Sequence, residues 1–280
     1  MSKVGIINPG AMGISIAASA RAAGHDVLWS SAGRSAASRQ RAAEHGLLDV
    51  DSIAELCAAC ELMLCICPPH AAESVAGSVI EAGFCGLYCD GNAIAPQKAL
   101  AIGGAMGAAG IEFVDGGIIG PPAWKPGSTR FYLSGASAAH VADLFAGTVT
   151  EAIVIGDEIG RASALKMVFA SGTKGFTALQ SAIQAVAERL GVREDLYREW
   201  ERRDPDAASR AQDNMRGVTE KAWRFTGEMK EIAHTFEGAG LPNGFFLAAH
   251  DIYQGMAHFK DADELPTLDE VLAALTDSRH

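Results

Sequence analysis

The sequence predicts an α/β fold over residues 1–156, a doubly wound parallel sheet, followed by an all-α domain over residues 157–280. Three observations carry this. Short apolar runs alternate with helical runs up to about residue 155, the pattern of strands joined by crossover helices. The texture changes at Gly156-Asp157, beyond which no strand signal remains. The chain has 280 residues, 49% hydrophobic and 20% charged, which is enough apolar material for two cores.

Val4-Gly5-Ile6-Ile7 is short and β-branched and predicts the first strand. A glycine turn follows, then a small, apolar helix over 13–24 closed by Gly24, then a strand over 26–30. Arg34 to His45 predicts a polar helix stopped by Gly46. Ser52, with Glu55 three positions on, predicts a capping box that opens a short helix. Residues 62–67 predict a buried strand stopped at Pro68-Pro69, 71–81 a helix and 86–89 a strand. Pro96 starts a helix to about 109. Residues 111–115 predict a strand broken by Gly116-Gly117. Strands are expected over 129–134 and 152–155, with a helix over 138–145 between them.

In the second domain one helix is expected from Glu158 to Leu190, longer than most globular helices. Helices over 193–202, 206–237, 244–258 and 267–276 follow. The long helix is apolar on most faces, so its burial needs several partners. A homodimer through the helical domain is the expected way to supply them.

The strand-turn-helix-strand context gives the turn Asn8-Pro9-Gly10-Ala11-Met12-Gly13 its meaning. A helix N-terminus offers free N–H groups and a partial positive charge, and a turn without side chains lets a pyrophosphate approach them. The usual G-x-G-x-x-G has Asn8 at its first glycine, and asparagine adopts positive φ more readily than other side-chain-bearing residues. Asn8, Pro9, Gly10, Ala11, Met12 and Gly13 are therefore candidate ligands of a dinucleotide in a Rossmann domain. NAD sites place an acid at the end of the second strand for the ribose hydroxyls. Here Ser30 and Ser31 stand there, with Arg34 and Arg39 just beyond. Hydroxyls and a guanidinium suit a 2′-phosphate, so NADP(H) is expected in preference to NAD(H), with Arg34 reading the phosphate. Rossmann geometry puts ligands outside strand C-termini, which makes Cys67, Pro68 and Pro69 a wall near the cofactor ribose and lets Asn92 reach the nicotinamide end.

Several motifs resemble the β-hydroxyacid dehydrogenase superfamily, which includes 6-phosphogluconate and 3-hydroxyisobutyrate dehydrogenases. Gly10-Ala11-Met12-Gly13 looks like its G-x-M-G turn, and Gly24-His25-Asp26-Val27 like its G-H-x-V strand entry. Phe113-Val114-Asp115-Gly116-Gly117-Ile118-Ile119-Gly120 sits where that family has F-x-D-A-P-V-S-G. Gly160 followed by Lys166 is similar to its G-x-x-x-x-x-K catalytic motif. The stretch from Lys221 to Met229 looks like the variant helical domain of uncharacterised bacterial members. The resemblance covers nearly the whole chain and implies an NAD(P)-dependent dehydrogenase or reductase. It departs at the substrate end: the family's serine aligns with Ile119, its asparagine with Ala170 and a later lysine near Gly227.

Carbonyl reduction leaves an alkoxide that needs a proton, and a lysine supplies it when burial or a neighbouring cation lowers its pKa. Lys166, in an otherwise nearly uncharged helix, is the expected acid/base. Lys174 lies two turns on and Thr173 beside it. A Lys166–Lys174 pair would attract an anion, and substrate binding and a plain exposed lysine are equal alternatives for Lys174. Backbone N–H groups of Gly116, Gly117, Ile118 and Ile119, read as a loop over 116–122, are expected to hold a substrate oxygen beside Lys166. Trp124 fits either that pocket or an interface. Trp223, Arg224 and Glu228 fit either a pocket wall or, more simply, an intrahelical Arg224–Glu228 ion pair.

The net charge is −11 with no basic run, which argues against nucleic acid and against anionic membranes. No leader and no apolar run of about 18 residues is evident, so a cytoplasmic chain is expected. Cys57-x-x-Cys60, with Cys65, Cys67, Cys85 and Cys89 behind it, has the spacing of a zinc or redox site. The later four lie in or beside strands, so reduced core cysteines and no metal are expected. The expected function is carbonyl–alcohol interconversion on a small metabolite, acidic ones included. The rivals are an imine reductase and a non-catalytic NADP-binding sensor.

Overall fold

Alternating apolar residues bury both faces of one sheet. The computed structural model describes residues 2–277. The chain divides into two compact units, Met1–Met167 and Val168–His280. In the first, β1 (Lys3–Ile7), β2 (Asp26–Ser30), β3 (Leu48–Val50), β4 (Leu62–Cys65), β5 (Leu87–Asp90), β6 (Glu112–Ile119), β7 (Thr129–Ser134) and β8 (Thr150–Val154) form a sheet in the order β3-β2-β1-β4-β5-β6-β7-β8. All neighbours are parallel except β6 and β7. The fold is thus a Rossmann-like α/β sheet, parallel-dominated rather than wholly parallel. The link from Ile119 to Thr129 is too short for a crossover helix, so the chain returns antiparallel.

Helices α1 (Ala11–Ala22), α2 (Ala36–Glu44), α3 (Ile53–Ala59), α4 (Ala72–Glu81), α5 (Pro96–Ala108) and α6 (Ala138–Asp143) cover the sheet. Leu62, Leu64, Leu87 and Cys89 face the layer of α1, α2 and α6. Met63, Cys65 and Tyr88 face α3, α4 and α5. The two faces therefore alternate residue by residue, as the strand period requires.

Two local expectations change. Gly116 and Gly117 do not break β6; they lie inside it, paired with Leu133 and Tyr132 of β7. A Cβ on Gly116 would stand 2.6 Å from the Phe131 ring, so close approach, not a turn, requires glycine there. At α3, the Ser52 hydroxyl accepts from the Glu55 N–H, but the Glu55 carboxylate accepts from Asp51 rather than from Ser52. The box is displaced by one residue.

The second unit is helical. It takes up the end of α7 (Arg161–Ala170), a π-helical turn at Ser171–Gly175, and then α8 (Phe176–Arg189), α9 (Arg193–Glu201), α10 (Ala207–Gly217), α11 (Thr219–Gly238), α12 (Gly244–Met256) and α13 (Leu268–Thr276). The single helix expected over 158–190 is interrupted by the π-turn, which spans the two glycines that weaken it. The run expected over 206–237 splits at Val218. Buried Gln184 is satisfied by the Tyr197 hydroxyl and the Ala211 carbonyl. No helix among the described residues is long and apolar enough to cross a membrane.

Tyr253 is fully buried, and its hydroxyl donates to the Lys174 carbonyl in the π-turn at 2.7 Å. A π-turn disturbs the regular pairing of helix carbonyls, and this phenol supplies a partner. Tyr253→Phe should remove that bond and lower stability by about 0.5–1.5 kcal/mol. Calorimetry would read a lower Tm with an unchanged far-UV spectrum.

Candidate functional site

The strand order reverses between β1 and β4, whose ends are paired at Ile7 and Cys65. A crevice opens outside the carboxyl ends of two such strands. Asn8 follows Ile7 with φ at +61°, the left-handed conformation its type suggested. Its carbonyl accepts from the Gly10 N–H at 2.7 Å, closing a tight turn about Pro9. The first turn of α1 has no capping side chain and no acid. Its leading N–H groups, on Ala11, Met12 and Gly13, precede the first α-helical bond, made by Ile14. A Cβ on Gly10 would meet nothing within 4 Å, whereas one on Gly13 would stand 2.6 Å from the Asn8 carbonyl oxygen. Gly13 lets the helix start against the turn, and Gly10 leaves the space above it open. The buried Asn8 Oδ1 has no partner among the described residues. An uncapped helix N-terminus, an open glycine and an orphaned acceptor fit the pyrophosphate and a hydroxyl of a dinucleotide.

At the end of β2, Ser30 and Ser31 are half-buried, and Arg34 lies in the turn before α2, its N–H donating to the Ser31 carbonyl. Ser35, not Arg34, caps α2. The Arg39 guanidinium is committed to the Arg34 carbonyl. Two neighbours carried no sequence signal. Arg41 reaches across to the Pro9 carbonyl at 3.4 Å, and Asp49 of β3 accepts the Ser31 N–H at 3.0 Å. Both depend on contacts distant in sequence.

Cys67 and Pro69 are half-buried beyond β4 and Pro68 is exposed. Asn92 is buried and its amide is committed. Nδ2 donates to Asp90 Oδ2 and to Cys65 Sγ, and Oδ1 accepts the Cys67 N–H. Asn92 thus braces the end of β4 against the end of β5. Burial pushes the Asp90 carboxyl up to about 7, against the Asn92 hydrogen bonds and with Asp115 adding repulsion. Asp90 and Asp115 are register partners on β5 and β6.

Asp115 is fully buried and was not singled out from the sequence, although an acid inside an apolar strand is the signal that marks it. Its carboxylate accepts the Ser163 hydroxyl, the Ser163 N–H at 2.9 Å and the Ser134 hydroxyl at 3.2 Å. Ser134 accepts the Ala162 N–H in turn. These bonds clamp the first turn of α7 to the sheet. Burial raises the Asp115 pKa, and the serine hydrogen bonds oppose it. Lys166 follows on α7, half-buried, its Cβ 3.0 Å from where a Gly117 Cβ would stand. Gly117 is what allows α7 to lie so close.

The substrate loop expected over 116–122 is not a loop at its start. Gly116, Gly117, Ile118 and Ile119 are buried strand residues paired with β7. Thr173 is exposed, its hydroxyl turned back on the Phe169 and Ala170 carbonyls. Lys174 forms an ion pair with Glu228 and lies 4.3 Å from the Phe225 ring centroid. A carboxylate therefore balances Lys174 where a second lysine was considered, and Glu228 pairs across 54 residues rather than with Arg224. Trp124 stacks on His45 at 4.9 Å, and Trp223 carries Lys260 over its ring. Burial pushes the Cys57 and Cys60 thiols up to about 11 and about 12, as core cysteines require.

Because burial lifts Asp90, the native state retains a proton that the unfolded chain loses above about pH 4. Its contribution is therefore fully present at low pH and is lost as pH rises from about 4 to about 7. Urea unfolding of Asp90→Asn against the parent should show the difference moving in the variant's favour across that interval. A constant difference would contradict the assignment.

The NAD-binding domain of 6-phosphogluconate dehydrogenase matches residues 3–147, and a domain of unknown function, DUF1932, matches residues 187–256. No protein of curated function matches the sequence. A conserved hypothetical protein from Sinorhizobium meliloti is 25% identical with a TM-score of 0.70, over 99% of this chain and 96% of its own. A 3-hydroxyisobutyrate dehydrogenase from Mycobacterium tuberculosis is 19% identical with a TM-score of 0.67, over 98% and 99%. An imine reductase from Bacillus cereus is 17% identical with a TM-score of 0.56, over 99% and 100%. The last two share the fold.

Proposed function

This chain belongs to the family of the 6-phosphogluconate dehydrogenase NAD-binding domain, and from that premise we propose an NADP-dependent oxidoreductase that interconverts a carbonyl and an alcohol on a small metabolite. The observation that carries the reading is the seat of Lys166. It stands against Gly117, on a helix whose first turn is clamped to Asp115 in the sheet. The family match and the dehydrogenase and reductase neighbours support an NAD(P)-dependent dehydrogenase or reductase.

The nicotinamide dinucleotide supplies two-electron hydride exchange when bound. The chain's own residues do the rest. The N–H groups of Ala11, Met12 and Gly13 hold the pyrophosphate at the α1 N-terminus, with Asn8 Oδ1 available to a hydroxyl. Ser30, Ser31 and Arg34 hold the 2′-phosphate, with Asp49 keeping the Ser31 backbone in place. Cys67, Pro68 and Pro69 wall the ribose side, braced by Asn92. Lys166 Nζ gives a proton to the carbonyl oxygen in reduction and takes it from the hydroxyl in oxidation.

Lys166→Ala should lower kcat by about 10²–10⁴-fold while NADPH still binds. Stopped-flow turnover and fluorescence titration separate the two effects, and intact turnover would refute the role. Arg34→Ala should weaken NADPH by about 10–100-fold and leave NADH nearly unchanged, since it removes a charge-assisted bond worth about 1.5–3 kcal/mol.

One observation favours a second reading. Ile119 is buried and apolar where the family resemblance has a polar substrate ligand. A neutral substrate suits it, so a cyclic imine should be assayed beside aldehydes and keto acids; turnover of the imine alone would assign imine reduction.

Val168, Phe169, Phe176, Val186 and Leu190 are exposed in the second unit, which also carries an apolar groove of about 360 Å³ lined by Ile183, Val186, Leu190 and Leu196. Their exposure supports a homodimer through the helical domain. Light scattering should give twice the 29.2 kDa chain mass. Six free thiols suit a reducing compartment such as the cytoplasm.

A further inference from the structure

We propose that Cys65 and Cys67 are a peroxide-sensitive thiol pair, which oxidises to an intrachain disulfide at the mouth of the β1–β4 crevice. The two sulfurs are already 3.8 Å apart, with the Cys65 S–H directed at Cys67 Sγ. Residues two apart in an extended chain share a face and lie about 6.6 Å apart along it. That is inside the window of about 4.4–6.8 Å between Cα atoms that a disulfide spans. The β4 ladder ends at Cys65, so Cys67 is outside the sheet and has room to turn.

The pair is asymmetric in the way such chemistry needs. Cys67 is half-buried and open to a small oxidant, whereas Cys65 is fully buried behind it. The other cysteines lack one requirement each. Cys57, Cys60 and Cys89 are buried, and exposed Cys85 has its S–H on the Gly83 carbonyl. In the first step the Cys67 sulfur attacks hydrogen peroxide. An S–O bond forms, the O–O bond breaks, and water leaves with the thiol proton. In the second step the Cys65 sulfur attacks the sulfenic sulfur. The S–S bond forms and hydroxide leaves as water with the Cys65 proton. Two thiols and one peroxide thus give one disulfide and two waters.

The position ties this modification to the nucleotide site proposed above, on which the ligand-protection arm of the test rests. Ile66, between the two cysteines, packs 3.7 Å from where a Gly13 Cβ would stand, and the Cys67 N–H is held by Asn92. Drawing the sulfurs from 3.8 Å to about 2 Å pulls Cys67 against that bond. Oxidation therefore reshapes the wall of the crevice.

The full-length protein is treated with hydrogen peroxide, alkylated with iodoacetamide, and mapped by mass spectrometry with and without NADPH. The expected result is a link within the 65–67 peptide, four alkylated cysteines, and reversal by dithiothreitol. Cys65→Ser should convert Cys67 to sulfenic and sulfinic acids without a link. Full alkylation of Cys67 after peroxide, or a link to any other cysteine, overturns the pair. NADPH should slow the reaction several-fold. If the link forms at the same rate with NADPH, the pair stands and the nucleotide placement falls.

Discussion

The buried carboxylate of Asp115 is the constraint around which the first unit is organised. It is fully buried in β6, so its oxygens need hydrogen-bond donors. Ser163 meets it with both hydroxyl and N–H, and Ser134 with a hydroxyl. That demand fixes where α7 begins and brings Lys166 over Gly117. On the other side Asp115 faces Asp90 across the β5–β6 register, and Asp90 orients Asn92, which holds Cys67. Hydrogen bonds tie α7 to Asp115, and others tie Asp90 through Asn92 to the end of β4, the two carboxyls being register neighbours on β5 and β6. The residues proposed to handle the proton and those proposed to wall the nucleotide are anchored on these two adjacent strands.

The turn and helix start proposed to hold the nucleotide were legible as backbone features because their signals are local. Asn8 in a left-handed turn, an uncapped α1 and a serine-rich end to β2 are properties of consecutive residues. The substrate end was not, because its partners are remote. Ser163 lies 48 residues from Asp115, and Glu228 lies 54 from Lys174. Spacing rules have no reach over such distances. Gly116-Gly117 shows the limit most clearly. A double glycine suits a break and a close approach equally, and only the Phe131 ring and the α7 backbone pressing on β6 decide between them. The π-turn was half-visible: Gly172 and Gly175 mark weakness, but not that one extra residue is inserted there.

The cysteines divide by the same logic of burial. Cys57 and Cys60 have the spacing of a metal or redox motif, yet both are buried, and neither offers the half-buried sulfur that Cys67 does. Among the described residues no group of three or more His, Cys, Asp or Glu is arranged for a metal. The pair with chemical potential has a less familiar spacing, and it is a strand ending between two cysteines that creates it.

Asp90 also bears on how this molecule exchanges protons with its solvent. The formal charge of −11 counts it as ionised, but the folded sheet edge retains hydrogen there that the open chain surrenders. Unfolding near neutrality therefore acidifies its surroundings. The heat that accompanies it includes the ionisation heat of whatever buffer takes the proton, so the melting enthalpy of this chain is a property of the solution as well as of the fold.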